Sequence, residues 1–209
     1  MAGDESELLA SLRAGDEAAF TRLVSDWSRP MLTVARGFVS TEASAEEVVQ
    51  ETWLAVIKGL DRFEGRSLLR TWVFRILVNT AKTRGVKEHK TLPWSTVAGE
   101  DSGPSLDPAL FQAEGEPHPG GWRAAPAAWP DELAVEGSVL AGEVRGELQS
   151  AIDTLPDRQR IVLTLRDVLG HTAEEVCEML EISQGNQRVL LHRARTAVRA
   201  GLAAYLEGS

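Results

Sequence analysis

Between Gln184 and Ala204 the chain carries Arg188, Arg193, Arg195 and Arg199 and not one acidic residue. Charge runs usually only solvate a surface, and helix arginines are commonly matched by carboxylates three or four residues away. No such partner exists on this stretch, so the chemistry it offers is binding of nucleic acid. A second cationic stretch, 58–90, holds nine basic and three acidic side chains and includes Phe63 and Trp72. Cations beside aromatics suit single strands, because phosphates need positive charge and an unstacked base needs a flat apolar surface. Phe63, in the loop DRFEGRS, is expected to be the exposed aromatic, and Trp72 is assigned to the core.

The net charge of −9 conceals these two surfaces. The balance is −6 over 1–57, +6 over 58–90, −9 over 91–153 and zero beyond, so acid is concentrated away from both basic stretches. Other chemistry is hard to place. Cys177 is the one cysteine, which excludes an intrachain disulfide, and His89, His118, His171 and His192 lack ligand spacing. No metal or cofactor is expected. There is no glycine-rich phosphate loop, no carboxylate pair and no nucleophile with a base, so the chain is not read as an enzyme. No apolar run approaches the ~20 residues of a membrane span, and MAGDESELLA lacks the features of a signal peptide, which points to the cytoplasm and away from membranes.

The elements that must position these residues are helical by pattern. Thr172 with Glu175 forms a capping box, and Val176 and Leu180 stack on the inner face of the helix it starts. Ser183 offers a second N-cap; beyond it Leu191, Ala194, Val198 and Leu202 recur as one buried stripe, with Arg188, Val189, His192, Arg193, Thr196 and Arg199 opposite. Two helices so arranged are a helix-turn-helix, whose second helix enters the major groove. Gln187 falls on the inward face, where it either hydrogen-bonds within the motif or turns towards DNA. Upstream, Val139, Val144, Leu148 and Ile152 lead to a helix with Pro156 in its first turn, whose Ile161, Val162, Leu165 and Val168 are expected in the core, and Gly170 ends it.

At the other end Leu8, Leu9 and Leu12 form a short helix ended by Gly15. Asp16 caps the next, with Phe20, Leu23, Val24 and Trp27 on one face, and Pro30 is expected to kink or divide it. Ser44 is expected to cap a third helix, whose apolar stripe is Val48, Val49, Thr52, Trp53, Val56, Ile57 and Leu60. Glu46, Glu47, Gln50 and Glu51 lie near its start, where acid favours the helix dipole or meets a partner. The next helix turns Leu69, Trp72, Val73, Ile76 and Leu77 inward and leaves Arg70, Arg75, Asn79, Lys82 and Arg84 on its surface. Residues 91–137 hold most of the prolines, three tryptophans and no sustained period, a linker by composition. A coil of that length spans on the order of 40 Å, more than one duplex turn of about 34 Å. At least one of Trp94, Trp122 and Trp129 is expected to dock on a surface. The expected fold is therefore all-α: two small helical domains, 1–90 and 138–209, joined by a long irregular linker, the second domain a helix-turn-helix.

SAEEVVQETW (Ser44 to Trp53), FEGRSLLRTWVFRILVNTA (Phe63 to Ala81), LPDRQRIVLTLR (Leu155 to Arg166) and GNQRVLLHRAR (Gly185 to Arg195) together resemble an extracytoplasmic-function sigma factor of bacterial RNA polymerase. The resemblance covers both helical domains in order. It implies a subunit that binds core polymerase, at the clamp of the largest subunit and at the flap, and that recognises duplex promoter DNA and the melted non-template strand. By it Glu46, Glu47, Gln50 and Glu51 would meet the clamp. Phe63, Glu64, Gly65, Arg66 and Ser67, with Asn79, would capture a base flipped from the −10 element, and Arg166, Arg188, Val189, His192 and Arg193 would read the −35 element. The linker would pass through the polymerase, and an anti-sigma protein would be a further partner. The chain departs from the family at Ser44, where aspartate is usual, at Leu190, where a basic residue is usual, and at Gln187, commonly aliphatic; its linker is also longer. A two-domain helix-turn-helix repressor or activator explains 154–205 equally well but gives the basic stretch at 58–90 no purpose.

Overall fold

Gly15 takes a left-handed backbone, φ 78°, and closes α1 (Ala2–Arg13). Asp16 then caps α2 (Glu17–Arg36), its carboxylate accepting from the amides of Ala18 at 2.9 Å and Ala19 at 3.1 Å. The computed structural model describes residues 2–90 and 139–208; the stretch with Trp94, Trp122 and Trp129 lies outside the described residues. The other elements are α3 (Glu42–Gly59), a 3-10 turn (Leu60–Arg62), α4 (Leu69–Lys87), α5 (Val139–Asp153), α6 (Asp157–Leu163), a π turn (Thr164–Val168), α7 (Ala173–Leu180) and α8 (Gln184–Gly208). No strand occurs among the described residues, as the sequence pattern leads one to expect.

One local expectation is narrowed and two are corrected. α2 is one helix through Pro30 and is not divided. An interior proline costs roughly 3 kcal/mol, but Leu23 before it and Met31 and Val34 after it are all buried, and α2 packs on α3 and α4. Thr41, not Ser44, caps α3: the Thr41 hydroxyl accepts from the Ser44 amide at 3.1 Å, which places Ser44 inside the first turn. Val168 is 54% exposed, while Leu169 is buried. In the π turn the Leu169 amide reaches Thr164 O, five residues back, at 2.9 Å, and the added residue shifts every later side chain by one place.

By their mutual contacts the described helices form two compact units: α1 to α4 with the π turn and α7 in one, and α5, α6 and α8 in the other. In the first, Val34, Val48, Val56, Val73 and Leu77 are sealed from solvent, and Phe20 meets Trp53 edge-on at 5.8 Å. α4 is enclosed on more than one side, since Phe74 and Val78 are buried as fully as Val73 and Leu77. Its C-terminal end is pinned to the loop after α2. Lys90 Nζ donates to Arg36 O at 3.2 Å and Val39 O at 2.8 Å, and Glu88 accepts from the Ser40 amide at 2.7 Å. That approach requires Gly85, where a Cβ would stand 2.3 Å from Phe38 O. In the second unit Ile152, Leu155, Ile161 and Val162 are buried together with Leu190, Leu191, Ala194, Val198 and Leu202 of α8.

Candidate nucleic-acid interface

Three groups of side chains hold the residues expected to meet nucleic acid or polymerase. On α8 the buried stripe falls on Leu191, Ala194, Val198 and Leu202, which turns Arg188, Val189, His192 and Arg193 to the opposite side, each half-buried. The helix starts as its sequence suggests: Ser183 Oγ accepts from the Asn186 amide at 3.2 Å. Arg188 Nη2 donates to Gln184 Oε1 at 3.3 Å. Burial, then the charges of Arg199 and Arg195, lower the pKa of His192. The shift favours the neutral imidazole, whose two ring nitrogens are one donor and one acceptor. Gln187 is only 2% exposed and points inward, and its Nε2 has no hydrogen-bond partner, so the alternative of an outward Gln187 is excluded. Leu190 is core as well, so the family's basic residue at that place is not replaced by an exposed leucine. Arg166 sits in the π turn, in the other unit, with Nη1 donating to His171 O.

The capping box before α7 is complete: Thr172 Oγ1 accepts from the Glu175 amide at 3.2 Å, and Glu175 Oε2 accepts from the Thr172 amide at 2.8 Å. Its acids meet the basic helix of the first unit. Arg75 pairs with Glu178, Thr71 Oγ1 donates to Glu175 Oε1 at 2.7 Å, Lys82 lies 3.0 Å from Glu181, and Arg70 Nη2 donates to Gly170 O at 3.4 Å. His171, sealed from solvent, packs against Phe74 at 5.5 Å. Burial, then the Arg70 charge, lowers its pKa to about 4, with Glu175 opposing at 3.6 Å.

The loop before α4 differs from expectation in its central residue. Phe63 is 8% exposed and stacks on half-buried Trp72, ring centroids 4.9 Å apart. The 3-10 turn and Arg13 hold it there, with Arg13 Nε donating to Leu60 O at 3.3 Å and Nη2 to Phe63 O. Phe63 therefore supports the loop and does not present a free ring. Glu64, Gly65 and Arg66 are exposed, Arg66 pairing with Glu64 at 2.5 Å; Gly65 has φ 69°, a turn that glycine adopts without strain, and Ser67 is half-buried. Asn79 is exposed about 15 Å further along α4 than its first residue. It lines an open groove of about 300 Å³ with Glu51, Thr80, Thr83, Arg84 and Lys87.

On α3, Glu46, Glu47, Gln50 and Glu51 are all exposed. Leu54 and Ile57 follow them at three- and four-residue spacing and are 56% and 52% exposed. Sequence reasoning missed this patch, having placed Ile57 in the buried stripe. The stripe of seven was wider than one packing face, and that excess width was the available signal.

Residues 23–90 match the family described as Sigma-70 region 2, and residues 145–198 match Sigma-70, region 4. The two segments together contain every residue that the family resemblance would assign to polymerase or DNA. The RNA polymerase sigma-H factor of Pseudomonas aeruginosa is 28% identical over 198 residues, covering 95% of this chain and 93% of the relative. The ECF RNA polymerase sigma-E factor of Salmonella typhimurium is 28% identical over 191 residues, covering 91% and 90%. Among solved structures, the sigma factor RpoE of Bartonella quintana, in complex with the anti-sigma factor NepR, superposes with a TM-score of 0.50 at 20% identity, covering 88% of this chain and 96% of that one, a likeness of fold.

Proposed function

The chain belongs to the extracytoplasmic-function sigma factors of bacterial RNA polymerase, and from that membership we propose how its surfaces divide the work. It is an alternative sigma factor, acting in promoter recognition and transcription initiation. Residues 1–90 serve as the domain for core polymerase and the −10 element, residues 138–209 as the domain for the −35 element, and 91–137 as the linker between them. The protein works in the cytoplasm and is not itself an enzyme.

The observation that carries the polymerase assignment is the pair Leu54 and Ile57, exposed in one patch beside Glu46, Glu47, Gln50 and Glu51. A helix dipole accounts for acid in a first turn but not for large apolar side chains left in water on the same face; grouped exposure of this kind marks a contact surface. The patch meets the clamp of the largest polymerase subunit, and the flap receives the C-terminal domain. Arg188, Val189, His192 and Arg193 enter the major groove of the −35 element, with Arg166 adding to it. Glu64, Gly65, Arg66 and Ser67 hold a flipped base of the melted −10 strand, supported from beneath by Phe63 on Trp72, while Asn79 contacts the strand further along. Extruding a base costs a few kcal/mol, which these contacts offset. An anti-sigma protein, of the kind that holds the Bartonella quintana relative, is a further partner.

The test is co-elution of the purified chain with core RNA polymerase on a sizing column. A stoichiometric complex is expected, and separate elution would overturn the assignment. Replacing both Leu54 and Ile57 with serine should abolish the complex. Arg193→Ala should preserve it and lower transcription from the cognate promoter roughly tenfold, the weight of one good base contact.

A further inference from the structure

Arg84 is shared between two surfaces with different tasks. Its Nη1 lies 2.9 Å from Glu47 Oε2 and its Nη2 lies 2.7 Å from Glu51 Oε1, so one planar fork spans two carboxylates a helical turn apart. Both carboxylates are more than half exposed and belong to the acidic face of α3, while Arg84 itself is about one-quarter exposed. The same guanidinium lines the groove of about 300 Å³ that also holds Asn79, Thr80, Thr83 and Lys87. The side chains named for that groove other than Glu51 are hydroxyls, an amide and cations, a set that suits a phosphodiester.

Two anions within 3 Å leave the three-residue cluster with a net charge of −1, so Arg84 offers little to a phosphate while it is so paired. We propose that Arg84 couples polymerase binding to DNA binding: a partner that engages Glu47 and Glu51 releases its guanidinium into the groove, where it binds a phosphate of the melted strand. The release rests on the assignment of α3 to polymerase given above; the pairing that masks Arg84 belongs to this chain alone. Removing the two carboxylate charges imitates the partner. The cost to the fold is small, because half-exposed ion pairs contribute little to stability.

The experiment is a mutant cycle on the full chain, reading fluorescence anisotropy of a fluorescein-labelled, random-sequence single-stranded DNA 12-mer over a range of salt. The double variant Glu47→Gln/Glu51→Gln should bind several-fold more tightly than the parent chain, with the dependence of log K on log salt steeper by about 0.7, one added phosphate contact. In an Arg84→Ala background the same two substitutions should give no such gain. Arg84→Gln repeats the cycle with a side chain nearer in length, and helicity by circular dichroism identifies any variant that fails to fold. A gain of equal size with and without Arg84 would reflect net charge alone and would overturn the proposal, as would no gain at all. Co-elution of the parent chain with core polymerase is scored separately: its failure removes the assigned partner, whereas an Arg84-independent cycle removes the coupling.

Discussion

α4 and α8 are the two basic helices among the described residues, and they differ in where the nearest acids of the sequence lie. On α4, Arg75, Lys82 and Arg84 are matched by Glu178, Glu181 and the pair Glu47 and Glu51, all from other helices or their caps. On α8 no acid occurs from Gln184 to Ala204, so that stretch supplies no carboxylate of its own to its four arginines. A cluster of cations in sequence thus has two outcomes. One is a surface whose charge is matched by acids from other helices and becomes available only when those groups move away; the other is a helical stretch with no acid of its own sequence among its cations. The first suits a contact that should form late, after polymerase has been engaged, and the second suits an initial encounter with duplex DNA.

The comparison can be broken most sharply at Gly85. Alanine there would place a Cβ 2.3 Å from Phe38 O, a backbone atom that cannot yield cheaply. Destabilisation of about 3 kcal/mol is expected in urea unfolding, with α4 losing its position and α8 keeping its own. A change below ~0.5 kcal/mol would show that the loop after α2 is not fixed to α4.

Acid should act on the same side of the comparison through His171. Its folded pKa, about 4, lies below the ordinary value of 6.5, so the unfolded chain binds the proton more readily. Stability from the neutral imidazole is fully present above pH 6.5 and is lost as pH falls from 6.5 towards 4. Between pH 7 and pH 5 the loss should be on the order of 2 kcal/mol, and His171→Leu should remove that slope. An unchanged slope in the variant would assign the acid sensitivity to other groups. On the α8 side the expected effect is smaller and opposite in sign. Gln187→Leu removes a buried amide whose Nε2 has no partner, and should stabilise the chain by about 1 kcal/mol in the same unfolding assay. A loss of stability would mean that the amide oxygen contributes more than the orphaned nitrogen costs.

How much of this could be read beforehand varied with the range of the interaction. The caps at Asp16, Thr172 and Ser183 and the stripe from Leu191 to Leu202 were legible, because each depends on neighbours within one or two helical turns. Thr41 and Ser44 satisfy the same capping rule in the sequence, and only the backbone decides between them. Phe63 lies in a glycine-containing loop, which by itself suggests exposure; Arg13, 50 residues away, and Trp72 on the following helix hold it inside. Val168 was misplaced because a π turn has no simple sequence signature.

The sequence by itself determined the helices, their order, the four motifs that carry the family resemblance and the two concentrations of positive charge. Those follow from periodicity, capping and composition, which are local. Tertiary structure alone decided which charges are matched, that Leu54 and Ile57 face outward beside the acids of α3, and that Gly85 lets α4 close against a backbone carbonyl. Coulomb and contact energies depend on separation in space, and residues such as Glu47 and Arg84 come within 3 Å only after the chain has folded.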